Sequence, residues 1–106
     1  MNTEEKIRKQ LADNPVLLYM KGTPEDPKCG FSRNAVNVLS GLGAAYSYVN
    51  VLEAPFIREK LPAVSDWPTF PQLFINGELV GGSDVVCEMA EDGSLKPMLD
   101  QAGGAA

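Results

Sequence analysis

The strand–helix–strand pattern in the first half of the chain limits the possible folds more than any other feature of the sequence. Residues 16–20 (VLLYM) form a continuous apolar run that follows Pro15, which is typical of a strand buried on both faces. A helical pattern over residues 30–42 and a second strand pattern over residues 46–51 come next. These segments predict a βαβ unit with parallel strands and a right-handed crossover. Residues 22–28 contain two prolines and are expected to form a loop.

The second half of the chain carries a different pattern, in which Asn76-Gly77 separates two short apolar runs. An Asn-Gly pair between runs at residues 72–75 and 78–80 is a strong signal for an antiparallel hairpin. One parallel and one antiparallel pair predict an α/β fold, with a mixed four-stranded sheet flanked by helices. The remaining helices are predicted at residues 3–13, with Thr3 as the N-cap, and at residues 55–61, 83–91 and 94–101.

Length, charge and composition exclude several classes of protein. The 106 residues suit one domain, so we expect a single domain over residues 1–106 with a frayed tail from about residue 102. The net charge of −5 argues against a nucleic-acid partner, because an acidic chain lacks the basic footprint that holds a phosphate backbone. Histidine is absent, which excludes Ser-His-Asp triads and histidine-containing zinc sites. We see no secretory signal and no run long enough to span a membrane, so we expect no membrane partner and a cytoplasmic protein, or an organellar form without its targeting segment.

The two cysteines lie in contrasting surroundings. Cys29 stands where a polar loop meets a predicted helix, between the cations Lys28 and Arg33. A helix N-terminus and nearby cations both lower the pKa of a thiol, so Cys29 is the candidate reactive residue. Cys87 is the alternative resolving thiol, but it lies in an apolar run on a later helix, which favours a packed and inert thiol. We therefore predict that Cys87→Ala leaves function intact.

The spacing around Cys29 resembles a redox motif that has lost its second thiol. A Cys-x-x-Cys pair beside a βαβ unit is typical of thioredoxin-like proteins, but here the fourth position is Ser32. A serine cannot resolve a mixed disulfide, so Cys29 cannot run a dithiol cycle within the chain. It must use an external thiol or serve as a lone ligand.

Four segments together resemble the monothiol, CGFS-type glutaredoxins, in the single-domain branch found in bacteria and organelles. They are KGTP at residues 21–24, CGFS at 29–32, WPTFPQ at 67–72 and GGSD at 81–84. The resemblance runs in order over about residues 4–100. It implies a thioredoxin fold, and it implies glutathione as the cofactor.

The resemblance also implies which residues contact glutathione. They are Lys21, Arg58, Thr69, Phe70, Pro71, Gly82, Ser83 and Asp84. Within this set, Lys21 and Arg58 match positions that meet the glycine carboxylate. The Phe70-Pro71 bond matches a cis peptide that lets the backbone before the proline pair with the tripeptide.

The last two residues of the set, Ser83 and Asp84, match positions that hold the γ-glutamyl end of glutathione. From the residues alone, either of them is equally well explained as the cap of a helix, and Lys21 and Arg58 as solvated charges. Many relatives carry cysteine at the position of Ser83, so its absence here leaves Cys29 more isolated.

Two functions follow from the resemblance. In the first, Cys29 ligates a [2Fe–2S] cluster that is also ligated by glutathione, a homodimer bridges the cluster, and the cluster passes to apo iron–sulfur proteins, with a BolA-like protein as a further partner. In the alternative, Cys29 is the catalytic nucleophile of a glutathione-dependent thiol–disulfide oxidoreductase, an activity that is generally weak in this family. A third interpretation, an adaptor without chemistry, is disfavoured by the cationic surroundings of the thiol.

Overall fold

The computed structural model describes residues 1–103, and its elements follow the predicted order. Of the predicted frayed tail, residues 104–106 lie outside the described residues. The helices are α1 Thr3–Asp13, α2 Gly30–Gly41, α3 Pro55–Ser65, α4 Ser83–Asp92 and α5 Leu95–Gln101. The strands are β1 Val16–Met20, β2 Gly22–Thr23, β3 Asp26–Pro27, β4 Ser47–Asn50, β5 Gln72–Ile75 and β6 Glu78–Gly81.

The main sheet has four strands in the order β4-β1-β5-β6 and is mixed, as predicted. The strand β1 pairs in parallel with β4 and antiparallel with β5, and β5 pairs antiparallel with β6. Both turn residues of the β5–β6 hairpin have positive φ, at 52° for Asn76 and 79° for Gly77, which is the conformation that an Asn-Gly turn favours. The fold is the thioredoxin fold that the resemblance implied.

Helices cover both faces of the sheet, so every residue of β1 is buried. Alternate side chains of β1 point to opposite faces, since the side-chain period of a strand is two. Leu18 and Met20 join the core beneath α2, α4 and α5, and Leu17 and Tyr19 join the core beneath α1 and α3. Burial on both sides explains why this strand reads as a continuous apolar run. Within the described residues, no helix has the length and apolar character needed to cross a membrane.

Three local predictions are wrong in detail. The N-cap of α1 is Asn2 rather than Thr3, because the Asn2 side chain accepts a hydrogen bond from the N–H of Glu5 at 2.8 Å. The segment predicted as a loop over residues 22–28 contains the short antiparallel pair β2–β3. The helix predicted to end at residue 61 continues to Ser65, whose hydroxyl donates to the carbonyl of Leu61 at 3.0 Å.

Candidate functional site

The candidate reactive thiol is the N-cap of α2. Cys29 has extended backbone angles, and its Sγ accepts a hydrogen bond from the N–H of Ser32 at 3.3 Å. The Ser32 hydroxyl lies 3.3 Å from the same sulfur and accepts from the N–H of Lys21 at 3.1 Å. Ser32 is fully buried. Ser32, which stands where a Cys-x-x-Cys pair has its second thiol, therefore makes hydrogen bonds with the first thiol. The sequence alone did not predict this role.

Two opposing effects act on the ionisation of Cys29. Burial raises the pKa of the thiol, whereas hydrogen bonds from the Ser32 hydroxyl and from the backbone N–H groups of Ser32 and Phe31 lower it, as does the charge of Lys21. The net pKa lies below the ordinary value for a cysteine, as the position at a helix N-terminus predicted. The source of the positive charge differs from the prediction. The contributing cation is Lys21, while Lys28 pairs with Asp26 at 2.6 Å.

A cavity of about 710 Å³ opens beside this helix start. All eight residues predicted to contact glutathione line it: Lys21, Arg58, Thr69, Phe70, Pro71, Gly82, Ser83 and Asp84. Cys29 is not itself a lining residue, but its neighbour Phe31 and the cation Lys21 are. The fold therefore brings together residues that are up to 63 positions apart, Lys21 and Asp84 being the extremes (84 − 21). Their contact with glutathione stays a prediction.

Five further residues of the cavity are apolar and were not predicted as site residues. They are Phe31, Pro62, Trp67, Pro68 and Val85. Phe31 lies in the CGFS segment, and Trp67 and Pro68 lie in the WPTFPQ segment, so the sequence carried a signal for them. Pro62 and Val85 carried no such signal, because their place at the cavity depends on how α3 and α4 pack.

The N-terminus of α4 lies at the cavity and has no side-chain cap. Its N-cap is Gly82, which has no side chain, so neither Ser83 nor Asp84 acts as the cap. Ser83 is 6% exposed, and its Oγ has no hydrogen-bond partner among the described residues. The first N–H groups of a helix lack partners within the helix and favour anions. The alternative that these two residues only cap the helix is thereby excluded.

Close packing at position 82 favours glycine. A Cβ atom on Gly82 would lie 3.2 Å from Nε1 of Trp67 and 3.3 Å from the carbonyl oxygen of Pro71. A side chain at position 82 would therefore require the wall of the cavity or the start of α4 to shift by a few tenths of an ångström.

Two cations complete the polar part of the cavity. Lys21 is half-buried just after β1, and Arg58 is exposed on α3. Among residues 1–103, neither takes part in a salt bridge. The Phe70-Pro71 bond is cis, as the resemblance implied. Both cysteines are free thiols, and Cys87 is half-buried on α4.

Comparison with known proteins identifies the family. The glutaredoxin family matches residues 16–80 of the chain. The chain belongs to the glutaredoxin family. It is 54% identical over 99 residues to glutaredoxin 4 of Buchnera aphidicola subsp. Acyrthosiphon pisum, which covers 93% of this chain and 92% of the relative. It is 52% identical to glutaredoxin 4 of Escherichia coli K12, covering 93% and 86%. Within the family, the chain is a monothiol, CGFS-type glutaredoxin.

Solved structures of glutaredoxins share the fold of this chain. A monomeric truncated mutant of Trypanosoma brucei 1-C-Grx1 has a TM-score of 0.86 at 40% identity, covering 100% of this chain and 96% of that one. A buckwheat glutaredoxin–glutathione complex has a TM-score of 0.83 at 27% identity, covering 98% and 96%. The holo form of poplar glutaredoxin C1 has a TM-score of 0.85 at 26% identity, covering 98% and 92%.

Proposed function

We propose that the chain binds glutathione in the cavity and uses it to carry a [2Fe–2S] cluster as cargo. The observation that supports glutathione binding is the match between the cavity and the charges of the tripeptide. Glutathione has two carboxylates and one ammonium group. The cations Lys21 and Arg58 suit one carboxylate, the open start of α4 suits the other, and Asp84 suits the ammonium.

The cluster proposal is supported by the number of ligands that the chain can offer. A [2Fe–2S] cluster takes four thiolates, and Cys29 is the thiol beside the cavity. Within the described residues, no group of three or more Cys, His, Asp or Glu side chains could hold a metal ion. The remaining ligands therefore come from outside the chain. Two chains and two glutathione molecules supply four thiolates.

Partners follow from this ligand set. A homodimer would bridge the cluster, and the exogenous ligands would make the cluster labile enough to pass to apo iron–sulfur proteins. In a mixed complex with a BolA-like protein, the partner would supply the histidine or cysteine ligand that this chain does not place at the site. Among the solved relatives, a glutaredoxin–glutathione complex supports glutathione as the cofactor, and another structure is a holo form.

Anaerobic reconstitution with iron, sulfide and glutathione tests the carrier function. We expect a coloured dimer that forms only with glutathione and becomes a colourless monomer when the cluster is lost. Visible absorption and size-exclusion chromatography measure both changes. The matched control is Cys87→Ala, which should load as well as the wild type. A colourless monomer under every condition would contradict the proposal.

Glutathione binding is tested separately, without the cluster. Lys21→Ala and Arg58→Ala should each weaken glutathione binding by about tenfold at low salt, because a carboxylate loses its partner, and by less at high salt. Isothermal titration at two ionic strengths measures the effect. Lys60→Ala on α3 is the control, since Lys60 is exposed and does not line the cavity. Unchanged affinity in both variants would remove the carboxylate assignments.

The lowered pKa of Cys29 favours a second candidate function, thiol–disulfide exchange with glutathione. The Cys29 thiolate would attack the glutathione sulfur of a protein–glutathione mixed disulfide and release the protein thiolate. A second glutathione thiolate would then attack the Cys29–glutathione disulfide, regenerate Cys29 and leave as glutathione disulfide. Turnover on a glutathionylated protein tests this function, and a rate equal to that of glutathione alone would exclude it.

A further inference from the structure

One wall of the cavity is an irregular segment, residues 67–71, which forms neither helix nor strand. All five of its residues line the cavity. Helices and strands pair their own backbone groups, but an irregular segment needs partners from elsewhere to hold one shape. The shape of this wall therefore depends on which side chains reach its carbonyl groups.

The side chain that reaches them belongs to Gln72. This residue begins β5, its backbone lies opposite Tyr19 of β1, and its side chain is 0% exposed. Its Nε2 donates to the carbonyl oxygen of Trp67 at 2.9 Å and to that of Thr69 at 3.1 Å. The amide nitrogen of Gln72 thus links two carbonyl groups of the wall to the main sheet through hydrogen bonds.

The chemistry of this contact restricts the residue type. A primary amide carries two N–H donors on one neutral nitrogen, and both are used here. An ionised glutamate has no donor, and a lysine would bury a charge. Asparagine has the same amide on a side chain that is one methylene shorter.

The oxygen of the Gln72 amide indicates that this residue does more than stabilise the fold. Oε1 of Gln72 is buried without a partner among the described residues, which costs free energy. An apolar side chain of the same shape would avoid that cost. The wall also meets the start of α4, where the indole nitrogen of Trp67 lies close to Gly82.

We propose that Gln72 is a positioning residue for the ligand site, holding residues 67–71 in the shape that binds glutathione through its two hydrogen bonds to Trp67 and Thr69. This inference rests on the proposed glutathione site for its ligand. The bracing of the wall is a property of the free protein and is tested without a ligand.

Trp67 makes the test direct, because it is the only tryptophan of the chain. Gln72→Met keeps an unbranched side chain of similar length and removes both donors. In the free protein, we expect acrylamide to quench the fluorescence of this variant more strongly than that of the wild type. Its glutathione affinity should fall by about tenfold, the effect of one lost hydrogen bond of ordinary strength. The matched control is Gln101→Met, an exposed glutamine at the end of α5.

Several results would overturn the inference. Quenching and affinity equal to those of the Gln101→Met control would mean that the two hydrogen bonds do not hold the wall. A change in quenching without a change in glutathione affinity, or the reverse, would show that the shape of the wall does not control binding. Either result would also overturn the inference. If the wild type does not bind glutathione, the proposed function fails, and quenching alone still decides whether Gln72 braces the wall.

A measurement on the wild type keeps the inference testable if Gln72→Met does not fold. Two hydrogen-bonded, buried amide protons should exchange slowly with water and give two resolved signals in a nitrogen–proton correlation spectrum. Side-chain signals of Gln72 that exchange as fast as those of Gln101 would contradict the proposed brace.

Discussion

The two helices that begin beside the cavity, α2 and α4, start in opposite ways. At α2 the cap is the side chain of Cys29, whose sulfur accepts from the N–H of Ser32 at 3.3 Å. At α4 the cap is Gly82, with no side chain, and the buried Ser83 hydroxyl has no partner in the described part of the chain. The thiol of Cys29 therefore caps the start of α2, whereas no side chain caps the start of α4, which is incomplete in this sense. An incomplete helix start is what an anionic ligand can complete.

The largest expected effect comes from removing the group that completes α2. Cys29→Ser should abolish cluster loading, because a neutral hydroxyl does not replace a thiolate ligand to iron. The fold should remain, since serine is a good N-cap and Cys29 is not part of the buried core. Absorption after anaerobic reconstitution and thermal unfolding measure the two parts. The control is Cys87→Ser, and stoichiometric loading of Cys29→Ser would refute the assignment of this thiol.

Closing the open start of α4 should give the next largest effect. In Gly82→Ala the new Cβ would lie 3.2 Å from Nε1 of Trp67 and 3.3 Å from the carbonyl of Pro71, so the wall or the helix must shift. We expect glutathione affinity to fall by at least about tenfold and the free energy of unfolding to fall by about 1–3 kcal/mol. Calorimetric titration and chemical denaturation measure these quantities.

The matched control for this variant is Gly41→Ala at the end of α2. A Cβ atom on Gly41 meets nothing within 4 Å, so this change tests alanine for glycine without crowding. Wild-type affinity in Gly82→Ala would show that close approach of α4 to the wall is not needed for binding.

The two helix starts also show which features of the structure could be predicted from the sequence alone. The strands and the hairpin were predictable because their signals are local, namely a five-residue apolar run and an Asn-Gly turn. The lining residues were predictable only through the resemblance, since Lys21 and Asp84 are remote in the chain. The identity of the cap at α4 was not predictable, because Gly82, Ser83 and Asp84 are all acceptable cap residues.

Long-range contacts account for what the sequence analysis missed. Lys28 is adjacent to Cys29 in sequence, yet Lys21 supplies the charge that acts on the thiol, because the β2–β3 hairpin returns the chain to the end of β1. Gln72 looked like an ordinary strand residue, since nothing local indicates that its amide reaches two carbonyls of the preceding segment. Such contacts depend on the packed structure and have no periodic signature.

A smaller and more selective effect is expected from Ser83→Ala. This change removes a buried hydroxyl that has no partner in the described structure, so the free energy of unfolding should stay the same or rise by up to about 1 kcal/mol. Glutathione affinity should fall by about threefold to tenfold, because one hydrogen bond to the ligand is lost. A free energy of unfolding that rises while glutathione affinity falls would show that the Ser83 hydroxyl serves ligand binding rather than the fold. Ser40→Ala on the exposed side of α2 is the control, and a loss of stability without a loss of affinity would assign Ser83 to the core instead.

The smallest expected effect is a shift in the pH at which Cys29 reacts. Burial raises the pKa of this thiol, but the hydrogen bonds from Ser32 and the charge of Lys21 bring it below the ordinary value. The thiolate should therefore persist to lower pH in the folded protein than in the unfolded chain. Between these two pKa values the unfolded chain binds more protons, so the contribution to stability grows as pH rises and is lost as pH falls through the folded value. The alkylation rate of Cys29 against pH, in a Cys87→Ala background, measures the shift, and the same variant in urea is the control. If alkylation is half-maximal at the same pH in the folded protein and in urea, Cys29 caps α2 with a thiol of ordinary pKa. The starts of α2 and α4 would then differ only in their geometry.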